Sequence, residues 1–121
     1  MVPFNQSWAK DAAVIVVIIS RKLFEYNDKP LRTHSFDTGS AWMNLALQGS
    51  MNDLVVHAIE GFDYDQTAKL LKLPDDFHIE CMVVIGKPGK KENLPAELQE
   101  REEPSDRRPI EEIVFKGEFR R

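Results

Sequence analysis

Cysteine is nearly absent from this chain. Cys81 is the single one in 121 residues, so no intramolecular disulfide can form, and a lone thiol inside an apolar run fits a reducing, cytoplasmic compartment. A surplus of either charge is also missing. The 16 Lys and Arg residues are interspersed with 20 Asp and Glu, for a net charge of −4, which leaves no broad cationic face for nucleic acid or an anionic membrane. Long hydrophobic runs are lacking too. The most apolar stretch, Ala12 to Ile19, falls far short of the roughly 20 residues that cross a bilayer. No basic segment precedes it, and Arg21 and Lys22 follow where a cleavage site needs small residues, so it is not a signal peptide. His34, His57 and His78 are scattered without the close spacing of a metal site, and they read as surface or core residues. No internal repeat or low-complexity tract is visible.

What the chain does have is one domain's worth of short elements. Met1 to Lys10 carries Pro3, Phe4 and Trp8 and leads directly into the octet Ala12 to Ile19. β-Branched residues dominate that octet without polar alternation, which predicts a strand buried on both faces and flanked by neighbours. Arg21 to Thr33 is polar and turn-rich, and reads as a mobile connection. Ser35 or Asp37 is placed to cap a helix to about Gln48, stopped by Gly49-Ser50, with Trp42 in its core or at a dimer interface. Leu54 to Ile59 reads as a second strand. Asp63 and Gln66 have capping-box spacing before a helix from Tyr64 to Lys72, which Pro74 stops, and Phe77 to Ile85 reads as a third strand. From Gly89 onward the composition shifts to Lys, Glu, Pro and Arg, the mark of an extended arm. The apolar run Ile110 to Phe115 then needs burial, on a neighbouring subunit if not on its own. The sum is an α+β chain with a sheet flanked by helices.

The chemistry-bearing segment is Ala58-Ile59-Glu60-Gly61-Phe62-Asp63, where a strand meets a capped helix. A glycine at such a corner lets backbone approach a flat ligand closely, and amides there can donate to an electron-rich acceptor. The same pattern also serves as a plain tight turn. Arg107 and Arg108 could clamp a phosphate with their forked guanidinium groups, or stand as ordinary solvated charges. Cys81, mid-strand, reads as a small buried apolar residue. Trp8, Tyr26 and Phe36 read as packing or as the wall of an acceptor pocket.

Four stretches in order, Asp37 to Gln48, Leu54 to Asp63, Ile79 to Gly86 and Arg107 to Ile113, together resemble the nitroreductase family. The resemblance covers nearly the whole chain, read as one partial domain over 1–121 with an extended arm over 89–121. It matches the C-terminal portion of the family's domain. The Arg-Arg-Ser-x-Arg type segment with which the family ordinarily begins does not occur, so an N-terminal truncation is expected, with weakened flavin binding, poor solubility or obligate association. Asp53 stands where relatives commonly have glycine, which implies a strained left-handed backbone there.

The resemblance implies an FMN-dependent oxidoreductase. FMN would lie at a homodimer interface, NAD(P)H would donate a hydride, and nitroaromatics, quinones or related acceptors would be reduced in a ping-pong cycle. It also implies that the backbone of Ala58, Ile59, Glu60 and Gly61 faces the flavin ring, with the Glu60 amide near the reactive nitrogen, and that Arg107 and Arg108 hold the FMN phosphate. No side chain is assigned as catalytic. Two alternatives stay open: a catalytically silent dimerisation or interaction module derived from that fold, and a binding domain for some other flat anionic ligand.

Overall fold

Val83 has no exposed surface and sits well inside a strand that is paired along both edges. That strand is β3 (Phe77–Gly86), and it separates β1 (Val14–Arg21) from β2 (Val55–Ile59) in a three-stranded sheet of order β1-β3-β2, antiparallel at both pairings. These coordinates are a computed structural model, which describes residues 1–119. Among the described residues the sheet is joined by four helices: α1 (Pro3–Ala9), α2 (His34–Met51), α3 (Tyr64–Leu71) and α4 (Ala96–Gln99). The α+β class expected from the pattern of elements is what the chain adopts.

The octet behaves differently from its expectation. β1 lies at an edge of the sheet, and Val14, Ile15 and Ile19 are all more than 40% exposed. Apolar composition marks a strand as wanting cover, but sheet order decides which strand receives it. Here β3 takes the centre because it pairs with both others.

Pairing with β3 sorts the strands into two faces, since directly opposed residues share a face. Val56 and Ala58 of β2 lie opposite Ile85 and Val83, which in turn lie opposite Val14 and Val16. α2 covers this face: a Cβ on Gly49 would run into the Val56 side chain. Gly49 therefore does not stop the helix, as its position before Ser50 predicts; it lets the helix continue to Met51 in close contact with the sheet. The actual stop is a Schellman arrangement. Asp53 N–H donates to Ser50 O at 3.1 Å and Leu54 N–H to Gly49 O at 3.0 Å, with Asp53 at φ 56°, the left-handed backbone expected there.

The other face receives α1, an element that the opening residues did not announce. Pro3 occupies the first turn, where its missing N–H costs nothing. Ala9, 1% exposed, packs with Ile59 and Val84, and the Trp8 ring lies 4.8 Å from that of His57. Arg21 to Thr33 is also more ordered than its polar composition implies. Leu23 bridges Pro30, Phe24 N–H donates to Lys29 O at 2.8 Å, and Arg21 pairs with Asp76 at 3.0 Å, so the connection closes as a small hairpin.

After Gly86 the chain forms the expected arm, with one-turn 3₁₀ segments at Lys91–Asn93 and Ile110–Glu112 around α4. Lys91 pairs with Glu103 at 2.8 Å, and the Arg101 guanidinium stands 5.8 Å from the Phe4 ring centre, tying the arm toward α1. Ile110, Ile113, Val114 and Phe119 are all more than half exposed. The burial that this apolar run calls for is not found within its own described chain.

Candidate functional site

The corner after β2 forms because Ile59 is drawn into the core at 4% exposure, which turns its neighbours Ala58 and Glu60 outward. Phe62 N–H donates to Glu60 O at 2.8 Å, a three-residue turn centred on Gly61. Asp63 then caps α3, accepting from Gln66 N–H at 2.8 Å as the capping-box spacing predicts, while Thr67 Oγ1 donates to Asp63 O at 2.6 Å. Lys72, in the left-handed conformation, ends the helix two residues before Pro74. Phe62 is buried and its ring stacks on Tyr64 at 4.1 Å, stiffening the exit from the corner.

Gly61 is needed for space, but the close approach is made by α1. A Cβ there would come within 2.6 Å of Asn5 Nδ2 and 3.0 Å of Val2 Cγ2. Its carbonyl accepts from Val2 N–H at 2.9 Å and from Asn5 Nδ2 at 3.2 Å. The expectation that the missing side chain makes room for a ligand is corrected accordingly: that space belongs to the N-terminal helix. What the corner still offers is the Glu60 main chain. Among the described residues, neither the Glu60 nor the Gly61 amide donates to a protein acceptor, and Glu60 is exposed.

Arg107 and Arg108 are exposed on the arm, and their hydrogen bonds are local. Arg107 donates to Ser105 O and Oγ, both at 3.0 Å; Arg108 donates to Glu112, at 3.2 Å to its carboxylate and 3.3 Å to its carbonyl. No hydrogen bond or ion pair links either arginine to the corner among the described residues. Within one chain, the two halves of the expected site are not brought together.

A second constellation escaped the sequence reading. β3 carries one extra residue between Cys81, opposite Ile18, and Ile79, opposite Ile19; that residue is Glu80. The bulge resets the alternation, so that Glu80 as well as Val83 and Ile85 reaches the α2 side. The Glu80 carboxylate accepts from Ser20 at 2.6 Å and Ser35 at 2.7 Å, and lies 3.6 Å from His34 Nδ1, which is 2.8 Å from Ser20 Oγ. The His78 ring stands edge-on to His34 at 6.2 Å, so two of the three supposedly scattered histidines meet. Burial pushes the Glu80 carboxyl up, but the two hydroxyls, with the His78 and His34 rings behind them, outweigh it and hold the group below its ordinary value. Burial, then the Glu80 charge, pushes the Cys81 thiol up, as suits a packing residue. Burial, followed by the charges of Glu60, Cys81 and Glu80, likewise pushes the Tyr64 hydroxyl up. No group of three or more His, Cys, Asp or Glu side chains suited to a metal ion occurs among the described residues. Nor is any helix there long and apolar enough to cross a membrane.

Comparison with known proteins decides what this architecture is. The model of the nitroreductase family matches residues 1–87. The chain belongs to the nitroreductase family. A solved oxidoreductase containing FMN is similar over 99% of this chain at 39% identity, with a TM-score of 0.92; the match spans 62% of that protein. A nitroreductase family protein from Streptococcus pneumoniae TIGR4 is 27% identical over 69% of this chain and 37% of its own, with a TM-score of 0.53. A nitroreductase family protein from Clostridium difficile 630, at 19% identity over 92% of this chain and 63% of its own, shares the fold with a TM-score of 0.64. No curated protein matches. This nitroreductase-family chain thus spans just under two thirds of the length of the FMN-containing oxidoreductase it resembles.

Proposed function

We propose that this nitroreductase-family chain works as part of a cytoplasmic, FMN-dependent oxidoreductase that uses NAD(P)H to reduce nitroaromatic, quinone or related acceptors. The observation that carries the reading is the outward-facing, unengaged main chain at Glu60, at the end of β2 in a chain 39% identical to an oxidoreductase containing FMN. Two sets of groups bear on whether FMN fits. The Ala58 to Glu60 backbone suits a flat ring, because both flanking side chains turn away from the core and the amide keeps its hydrogen for an acceptor on the ring edge. Arg107 and Arg108 suit a phosphate by chemistry, but they belong to an arm whose bonds are its own.

That separation supports a homodimer, with the corner of one protomer and the arm of its partner meeting around the cofactor. Exposed apolar residues of α2, Phe36, Met43, Leu47 and Met51, supply a stripe for the same association. FMN, when bound, supplies the two-electron chemistry, and the chain's part is to bind and orient it. The Glu60 amide donates toward the ring, Ile59 anchors the strand end in the core, and the Arg107 and Arg108 forks hold the phosphate once Arg108 exchanges Glu112 for it. The Glu60 carboxylate has no assigned role.

The test is spectroscopic. Titration of the purified chain with FMN should shift the flavin absorption spectrum as the cofactor binds, and Arg107→Ala with Arg108→Ala should weaken that binding roughly tenfold or more, the scale of a lost charge-assisted hydrogen bond. A colourless dimer that FMN does not bind would favour the silent interaction module, and unchanged affinity in the double variant would return the arginines to solvent.

A further inference from the structure

The cluster at the β3 bulge has an unusual hydrogen balance. A serine hydroxyl has one hydrogen to give. Ser20 Oγ is 2.6 Å from Glu80 Oε1 and Ser35 Oγ is 2.7 Å from the same oxygen, both of them donor contacts to an acceptor that has no hydrogen of its own when ionised. Both hydroxyl hydrogens are therefore spent on Glu80. Yet Ser20 Oγ is also 2.8 Å from His34 Nδ1, and Ser35 Oγ is 3.3 Å from it. For the 2.8 Å contact to be a hydrogen bond, the hydrogen must come from the ring.

We infer that ionised Glu80 sets the tautomer of His34: by taking the hydrogens of Ser20 and Ser35 it requires His34 to carry its own hydrogen on Nδ1 and donate it to Ser20. The resulting relay, His34 to Ser20 to Glu80, latches the first turn of α2 to the bulge between β1 and β3. Neutral imidazole with a hydrogen on Nδ1 keeps its lone pair on Nε2, which has no hydrogen-bond partner among the described residues. In that neutral form the outer edge of the ring is an acceptor.

Every element packed around the carboxylate is consistent with its staying ionised. α2 contributes His34 and Ser35, β1 contributes Ser20, and β3 contributes His78 and the neutral Cys81 thiol; Tyr64 of α3 is held protonated nearby. Arg21, next to Ser20, is committed to Asp76 and Asp28. Ser20 itself is 5% exposed, so water does not readily replace either of its partners.

Long-range proton–nitrogen NMR on the ¹⁵N-labelled full chain, at alkaline pH where imidazole is neutral, reads the tautomer directly. His34 should show Nδ1 at a protonated-type shift and Nε2 at a lone-pair-type shift. Glu80→Ala, which leaves the ring and Ser20 in place, frees the Ser20 hydroxyl to donate to Nδ1, so the two shifts should exchange. Ser35→Ala should keep the wild-type pattern, because Ser20 still gives its hydrogen to Glu80. His57, packed on Trp8 away from the cluster, reports whether each variant is folded. A wild-type His34 with its hydrogen on Nε2 overturns the inference without any variant, and so does a folded Glu80→Ala in which the wild-type pattern persists. Should Glu80→Ala not fold, the wild-type measurement alone decides: a His34 hydrogen on Nδ1 supports the relay, and one on Nε2 refutes it.

Discussion

Gly49 and Val56 meet where no side chain can stand between them: a Cβ on the glycine would overlap Val56 Cγ2, so the last turn of α2 rests directly on β2. The contact joins the two elements on either side of the Asn52–Leu54 turn, and it sets how closely the long helix covers the sheet.

Gly49→Ala accordingly should destabilise the chain. In an isolated helix the change would be favourable by about 1 kcal/mol. Here overpacking costs about 1–3 kcal/mol, and the net should be a loss. Urea unfolding followed by circular dichroism gives the sign, and a midpoint that rises would show that the helix can lift off the strand without penalty.

Asp53 is the left-handed residue of the Schellman turn, at φ 56°. A side chain in that conformation costs roughly 1–2 kcal/mol, somewhat less for Asp, and glycine returns part of this as chain entropy. Asp53→Gly is expected to stabilise by about 0.5 kcal/mol in the same assay. A clear loss would mean that the carboxylate has a contact in solution that the turn does not show.

Glu80 gives the pH dependence a definite sign. Its carboxyl is held below the ordinary value in the folded chain, so its contribution to stability is present above the unfolded value, about 4.3, and is lost as the pH falls through the folded one. Glu80→Gln should lose about 1.5–3 kcal/mol near neutral pH, the scale of hydrogen bonds to a charged group. Its deficit should shrink toward zero on acidification. Unfolding curves at a series of pH values check this; a constant difference between variant and parent would show that the charge plays no part.

Local chemistry was enough to place much of the chain. Asp63 three residues before Gln66 marks a helix start because the cap is made within one turn, and Lys72 before Pro74 marks its end for the same reason. β3 was legible from its run of Ile, Val and Met, and the turn at Asn52–Leu54 from its departure from the family pattern. The arm was legible as a change of composition. Short-range signals of this kind survive because both partners lie within a few residues of each other.

The rest needed partners far apart in the chain, from 45 residues for Ser35 and Glu80 to 60 for Ser20 and Glu80. Gly61 looks like a ligand corner until Val2 and Asn5 are seen to fill its space, and no periodicity in Met1 to Lys10 says that they will. Sheet order put the most apolar octet at an edge, and a single extra residue at Glu80 turned a carboxylate, two serines and two histidines toward one another. By itself the sequence determined where the three strands and the helices α2 and α3 lie, and which family they compose, because those follow from side-chain type and order along the chain. Only the tertiary structure decided which strand is covered, which glycine yields room and which histidines share a carboxylate, because those depend on distances between residues that the chain order keeps far apart.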